Sequence, residues 1–265
     1  MSRYSNMENL KVTLVQSELN WHDKASNFML FDHLLESNIS ETDLIVLPEM
    51  FTTGFTMKAE DYAETMDGNT VSWLKDQAKR FDSCITGSAI IEEDGSYYNR
   101  LLWVTPDGNA QHYDKRHRFS LAGEQNHYSA GSDRKVFELK GWKIFPQICF
   151  DLRFPVFSRN DLEYDLAFYI ANWPERRSHA WRTLLPARAI ENQSYVIGVN
   201  RVGKDGNDVL FRGDSGLFDP LGKMVSKIKP HEETVQTFQL NAEELKEVRE
   251  KFKFLNDRDQ FEIKL

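Results

Sequence analysis

Apolar positions fall into short runs whose period switches between two and about 3.6, the mark of strands alternating with helices. Residues 10–19 read as a first strand. Over residues 23–37, Phe28, Phe31, Leu34 and Leu35 recur at helical spacing and predict an amphipathic helix. Leu44-Ile45-Val46-Leu47 is a continuous apolar run stopped by Pro48, the pattern of a strand buried on both faces. Asn69 stands where it would cap a helix over residues 70–81, with Val71, Leu74, Ala78 and Phe81 on one side. A strand over 84–91 follows. Strands at 97–105 and 110–115 flank the turn Pro106-Asp107-Gly108-Asn109, and those at 136–139 and 142–148 flank Lys140-Gly141.

The second half repeats the alternation. A buried strand at 165–171 leads to a helix over about 177–192, then to strands at 195–200, 216–218, 224–228 and 235–240. Turns at Lys204-Asp205-Gly206-Asn207 and Asp219-Pro220-Leu221-Gly222 separate some of them, and a charged helix spans 241–252. Helices and hairpins occur in both halves, which suggests two mixed sheets covered by helices. No linker, low-complexity tract or short-period repeat divides the chain, so one domain over residues 1–265 is expected.

Composition narrows the partners. With 40% hydrophobic residues the chain can fill a core, and its net charge of −8 disfavours nucleic acid or an anionic membrane. The one basic run, Lys115-Arg116-His117-Arg118, is too short to reverse that. No apolar stretch approaches the roughly 20 residues of a membrane span. Residues 1–9 are polar and lack the apolar centre of a secretory signal; they read as a flexible extension, with Met7 an alternative start. Two cysteines, Cys84 and Cys149, make no disulfide framework, as suits a reducing cytoplasm. A soluble cytoplasmic protein is expected.

Three polar residues end apolar strands: Glu49 after residues 44–48, Lys115 after 110–114, and Cys149 after 142–148. Each alone has an ordinary explanation as a solvated carboxylate, a basic loop or an inert thiol. Together they make chemical sense. A thiol attacks only as thiolate, so a base must take its proton. A carboxylate about 4 Å away can do so, yet it opposes the new charge by roughly 4 kcal/mol at an effective dielectric of ~20. That is about three pKa units, which a lysine at similar range offsets before it stabilises an oxyanion. Such a trio needs neither histidine nor metal.

Leu47-Pro48-Glu49-Met50-Phe51-Thr52-Thr53-Gly54-Phe55, Tyr113-Asp114-Lys115-Arg116-His117 and Ile148-Cys149-Phe150-Asp151-Leu152-Arg153-Phe154-Pro155 resemble the glutamate, lysine and cysteine motifs of the nitrilase, or carbon–nitrogen hydrolase, superfamily. Order and spacing match as well, over nearly the whole chain. Asn172-Trp173-Pro174, the run 187–193, Asn200-Arg201-Val202-Gly203 and Arg212-Gly213-Asp214-Ser215 are similar to the omega-amidase group. The resemblance implies an α/β fold, a four-layer α-β-β-α sandwich of two mixed sheets, commonly a homodimer. It implies Glu49 as general base and Cys149 as nucleophile, with Lys115 and the Phe150 backbone N–H holding the oxyanion. Glu124 would position Lys115 and substrate. The implied reaction is hydrolysis of the terminal amide of a short 2-oxo acid: 2-oxoglutaramate, 2-oxosuccinamate, or the 2-oxo amide related to methionine salvage.

Arg153 would suit a substrate carboxylate, or would lock the nucleophile turn through a carbonyl or Asp151. Phe55 and Trp173 would wall the pocket, or simply pack. Arg188 and Glu191 are spaced to pair on one helix face, and Asp214 and Ser215 to satisfy nearby backbone. His112 and His117 read as solvated loop residues, and no histidine has a partner at metal-ligand spacing, so neither metal nor cofactor is expected. Other readings stay open: a superfamily hydrolase of another small amide, nitrile or carbamoyl amine, a papain-like Cys–His hydrolase, or a small-molecule binding module on the same fold.

Overall fold

A computed structural model describes Tyr4, residues 6–226 and residues 228–264. In chain order the elements are β1 (Leu10–Gln16), α1 (Lys24–Asn38), β2 (Leu44–Val46), α2 (Ala59–Tyr62), α3 (Asn69–Phe81), β3 (Cys84–Glu93), β4 (Ser96–Val104) and β5 (Ala110–Asp114). The second half holds β6 (Phe137–Leu139), β7 (Trp142–Ile148), β8 (Leu166–Ala171), α4 (Ser178–Asn192), β9 (Tyr195–Asn200), β10 (Val202–Lys204), β11 (Leu210–Arg212), β12 (Gly216–Phe218), β13 (Thr234–Leu240) and α5 (Ala242–Phe252). One sheet has the order β13-β1-β2-β3-β4-β5, the other β12-β9-β8-β7-β6. Each is mixed: β1, β2 and β3 are parallel, as are β7, β8 and β9, with antiparallel strands outside them.

Because side chains alternate across a strand, the first sheet feeds two cores. Val12, Leu14, Leu44 and Val46 face the second sheet and join Ile144, Phe168 and Ile170. Val15, Ile45 and Leu47 face the other way, beneath Phe31 and Leu35 of α1 and Val71, Leu74 and Ala78 of α3. On the far side α4 lies directly on β9 at Gly198, where a Cβ would stand 2.5 Å from Leu185 Cδ1. Each buried aliphatic side chain contributes about 1.5–3 kcal/mol, so the two outer helix layers and the inter-sheet layer are what hold the sandwich together. Its layers run helix, sheet, sheet, helix.

Some local expectations are corrected. Asn69 is the first helical residue of α3 rather than its cap; Gly68 precedes it, and the Glu64 carboxylate accepts from the Thr70 N–H at 2.7 Å instead. The turn at 204–207 joins a short extra hairpin, β10–β11. Of the strand expected over 224–228, Lys227 lies outside the described residues and Met224 makes a lone bridge to Phe218. Of the N-terminal extension, residues 1–3 and 5 lie outside the described residues. Met7 packs against the core, and the Glu8 carbonyl accepts from Trp142 Nε1 at 2.6 Å. Among the described residues no helix is long and apolar enough to cross a membrane.

The topology also gathers strand ends. β3 and β5 both run antiparallel to β4, so β5 points the same way as β2. Glu49 follows β2 and Lys115 follows β5 at one edge of the first sheet; Cys149 follows β7 and Asn172 follows β8 on the second.

Candidate active site

Glu49 and Lys115 are both buried, and they meet at the sandwich edge with Lys115 Nζ 2.9 Å from Glu49 Oε1. The same ammonium lies 3.0 Å from each oxygen of Glu124, which sits on a short 3₁₀ turn (Glu124–Asn126) and is fully buried. Glu124 also accepts from the Phe119 N–H, which ties the loop after β5 to the lysine. Glu49 has two further donors: Asn99 Nδ2 at 2.8 Å on Oε1 and the Asn172 N–H at 2.8 Å on Oε2. Asn172 Nδ2 donates to the Glu49 carbonyl as well, so the carboxylate is gripped from both sheets. A buried carboxylate survives only with such compensation.

Cys149 opens a 3₁₀ turn (Cys149–Arg153) and holds φ at +45°, a left-handed conformation that costs a non-glycine residue about 1–2 kcal/mol. Asp151 carries that turn. Its fully buried carboxylate accepts from the Ile148 N–H at 3.0 Å, the Tyr113 hydroxyl at 2.7 Å and the His117 N–H at 2.9 Å. His117 Nδ1 lies 2.7 Å from the same carboxylate, and its ring stacks on Phe154 with centroids 3.7 Å apart. The end of β5, which bears Lys115, is thereby fastened to the turn that bears Cys149. The expectation of a solvated His117 is corrected: Asp151 and Phe154 hold it, away from the thiol cavity.

Charges in this cluster are coupled. Burial raises the Cys149 thiol well above its ordinary value; Glu49 raises it further, by charge and by hydrogen bonding, while Lys115 pulls it down and Glu124 adds a smaller upward push. The thiol form of Cys149 is therefore favoured beside the Glu49 carboxylate. Burial alone would lower the Lys115 amine, but Glu124 and Glu49 more than reverse that, and it stays charged. Glu124 is itself pushed up, by burial first, against the pull of Lys115.

Cys149 and Glu49 line a cavity of about 560 Å³, with Phe55, Phe150, Arg153, Asn172 and Trp173 among its walls. Phe55 lies under the ammonium, its ring centre 5.0 Å from Lys115 Nζ. Phe150 N–H is in the first turn of its 3₁₀ segment, where such groups have no partner within the helix. Trp173 is pinned by its N–H to Asn200 Oδ1 at 2.7 Å and by Nε1 to the Arg177 carbonyl at 2.8 Å. Arg153 does not lock the turn. It is exposed toward the cavity and stacks 5.1 Å above Trp173; the turn's Leu152 carbonyl is held by Arg188 Nη2 at 2.7 Å instead. Arg188 also pairs with Glu191 at 3.0 Å, and Ser215 Oγ accepts from the Asn200 N–H, both in structural roles.

Sequence reading gave no role to Asn99 or Arg177, placed Asn172 only in a motif, and offered Asp151 only as a partner for Arg153. Asn99 had a signal: an amide beside Arg100 in a strand otherwise continued by Leu101, Leu102 and Trp103. Asp151 had one too, an acid two residues from the thiol. Among the described residues no group of three or more His, Cys, Asp and Glu is placed to hold a metal ion.

Residues 11–250 match the family model for carbon–nitrogen hydrolase. The chain is 48% identical to omega-amidase YafV of Yersinia enterocolitica over 96% of its length and 99% of that protein's. It is 32% identical to 2-oxoglutaramate amidase of Bacillus subtilis (strain 168), covering 93% of this chain and 96% of that one. Among solved structures, XC1258 from Xanthomonas campestris, a CN-hydrolase superfamily protein with an arsenic adduct in its active site, superposes with a TM-score of 0.94 at 46% identity. That match covers 97% of this chain and 100% of the other.

Proposed function

The chain belongs to the carbon–nitrogen hydrolase family, and on that premise we propose that it is an omega-amidase, freeing ammonia from the terminal carboxamide of a short 2-oxo dicarboxylic acid monoamide. 2-Oxoglutaramate, the amide in the name of the Bacillus subtilis relative, is the first to test. The observation that carries this reading is that Glu49, bound to a buried Lys115 that Glu124 also holds, lines one cavity with Cys149, whose backbone is left-handed.

In this reading Glu49 takes the S–H proton as the Cys149 sulfur attacks the amide carbon, so no free thiolate need exist beforehand. That fits a thiol whose own acidity is suppressed. The C=O electrons move onto oxygen, where Lys115 Nζ and the Phe150 N–H receive them. The intermediate collapses with C–N cleavage, and Glu49 returns its proton to the leaving nitrogen, which departs as ammonia. Water then adds to the thioester with Glu49 again as base, and the acid leaves as Cys149 recovers its proton. General base catalysis is worth about 10²–10⁴-fold and each oxyanion donor about 10²–10³-fold. Glu124 holds the Lys115 ammonium alongside Glu49, Phe55 and Trp173 wall the acyl chain, and Arg153 faces its carboxylate.

The reading includes a cytoplasmic homodimer with no nucleic-acid or membrane partner, supported by the net charge of −8 and the family resemblance; light scattering tests the dimer. The function itself is tested by Cys149→Ala. That variant should fold as the wild type does and release no ammonia from 2-oxoglutaramate. Retained turnover would remove the thiol from the mechanism, and a wild type that prefers nitriles or ureido acids would remove the substrate.

A further inference from the structure

The cavity wall also carries several guanidinium groups although the protein is acidic overall. Arg153, Arg176 and Arg177 all line it. Arg177 is half-buried, laid across the Phe119 ring with its Cζ 4.8 Å from the centroid, and Arg153 lies 5.1 Å over Trp173. Among the described residues no carboxylate forms an ion pair with any of the three, whereas Arg100, Arg134, Arg188, Arg212 and Arg249 each have one. Desolvation makes Arg177 easier to deprotonate than an ordinary arginine, as do the charges of Arg176 and Arg153, and only Cys149 opposes them. Arg153 and Arg176 are exposed and Arg177 is half-buried, so three like charges without a carboxylate partner face one concave wall, a field that favours a bound anion.

Both aromatic partners fix the heads. Phe119 sits between Arg177 and Phe150, whose rings meet edge to face at 5.1 Å, and Phe150 follows the nucleophile directly. The Arg177 head is thus referenced to the reacting sulfur through two side chains in contact. Its backbone carbonyl accepts from Trp173 Nε1, so the ring under Arg153 is fixed by the same residue.

We propose that Arg177 is a specificity-determining residue: with Arg153 and Arg176 it admits amides that carry a carboxylate beside an uncharged carbon and rejects those that carry an ammonium there. The inference rests on the omega-amidase reading and deepens it. A terminal amide with an oxo group at the 2-position presents only negative charge and neutral dipoles to the guanidinium wall. The matching amino acid, glutamine, presents the same carboxamide and carboxylate, but its α-ammonium would stand beside three cations; the acids among the lining are already engaged, Glu49 by Lys115, Asn99 and Asn172, and Asp205 by the Asn207 and Val209 N–H groups. Charge alone then separates two molecules of nearly equal shape, which shape-fitting walls such as Phe55 and Trp173 do poorly.

The test compares wild type, Arg177→Met and Arg177→Lys on 2-oxoglutaramate, glutamine and a neutral amide of similar length. Arg177→Met should lower kcat/KM for 2-oxoglutaramate by about 10²-fold, mainly through KM, and leave the neutral amide within about threefold. The preference for 2-oxoglutaramate over glutamine should fall at least tenfold, and Arg177→Lys should restore part of it. Equal losses on all three amides would mean a merely structural role and overturn the proposal, as would an unchanged preference. Failure of the omega-amidase reading would show in the wild type alone, as no preference for the 2-oxo amide. A probe independent of substrate is alkylation of Cys149 by iodoacetate relative to iodoacetamide, with buried Cys84 as internal control. Arg177→Met should lower that ratio about tenfold; an unmoved ratio also overturns the proposal.

Discussion

Replacing Lys115 with methionine keeps most of the side-chain volume and removes one charge from a fully buried site. Lys115 Nζ stands 2.9 Å from Glu49 and 3.0 Å from Glu124, so the two carboxylates it separates lie within about 6 Å of each other. At that range and an effective dielectric of ~20 they repel by about 3 kcal/mol, or about two pKa units. Removing one partner of a buried ion pair typically costs about 3–5 kcal/mol, and urea unfolding at pH 7 should show a loss of that size. Adding Glu124→Gln to Lys115→Met removes the repulsion and should return about 2–3 kcal/mol. Ammonia release should stay down at least 10²-fold in the double variant, because the oxyanion still lacks its cation. The single variant also has a pH signature. Burial already holds Glu124 above its ordinary value, and loss of Lys115 takes away the group that pulls it down. A carboxyl raised in the folded state binds its proton more tightly there, so the variant should regain stability as pH falls through that raised value. A double variant no more stable than the single would refute the charge argument. One that recovers turnover would reduce Lys115 to a neutralising role.

Glu49→Gln separates acidity from activity. It removes a group that raises the Cys149 thiol, so thiolate absorbance should appear at lower pH, yet ammonia release should fall about 10²–10⁴-fold for want of a base; an unmoved thiol titration contradicts the coupling. Asp151→Asn turns an acceptor of several donors into a mixed group that opposes one of them. It should cost about 1–3 kcal/mol in urea unfolding and lower kcat more than it raises KM, whereas wild-type stability would show that Asp151 does not carry the turn. Gly206→Ala would put a Cβ 2.2 Å from the Trp21 ring at the cavity mouth, displacing the β10–β11 hairpin. KM should rise with kcat nearly unchanged, and an unaltered KM would show that the hairpin does not bound the substrate.

Much of the layering was legible because period and position coincide. Leu44 to Leu47 is apolar throughout, and the strand there is indeed buried on both faces, between the helix layer and the other sheet. Residues 166–171 carry the same message. The trio was legible only jointly, since Glu49, Lys115 and Cys149 each look unremarkable and their meeting depends on strand direction, which no local pattern reports. β10 and β11, of three residues each, fall below the length at which alternation can be read. Asn69 looked like a cap because cap chemistry is local, while the group that serves α3 is Glu64, from a loop whose placement is set by tertiary packing. His117 was misread for the same reason: its partner, Asp151, lies 34 residues away. Arg177 carries no sequence signal at all, for a guanidinium without a counter-ion is visible only once its neighbours are known.

The claim on which the account turns is that Cys149 carries the acyl group between release of ammonia and entry of water. Acid-quenching the enzyme within its first turnovers on 2-oxoglutaramate, followed by peptide mass spectrometry, tests it directly. The Cys149 peptide should gain the mass of the 2-oxoglutaryl group, lose it on treatment with hydroxylamine, and gain nothing in Glu49→Gln. Full ammonia release with an unmodified Cys149 peptide, or with the acyl group on another residue, would contradict it.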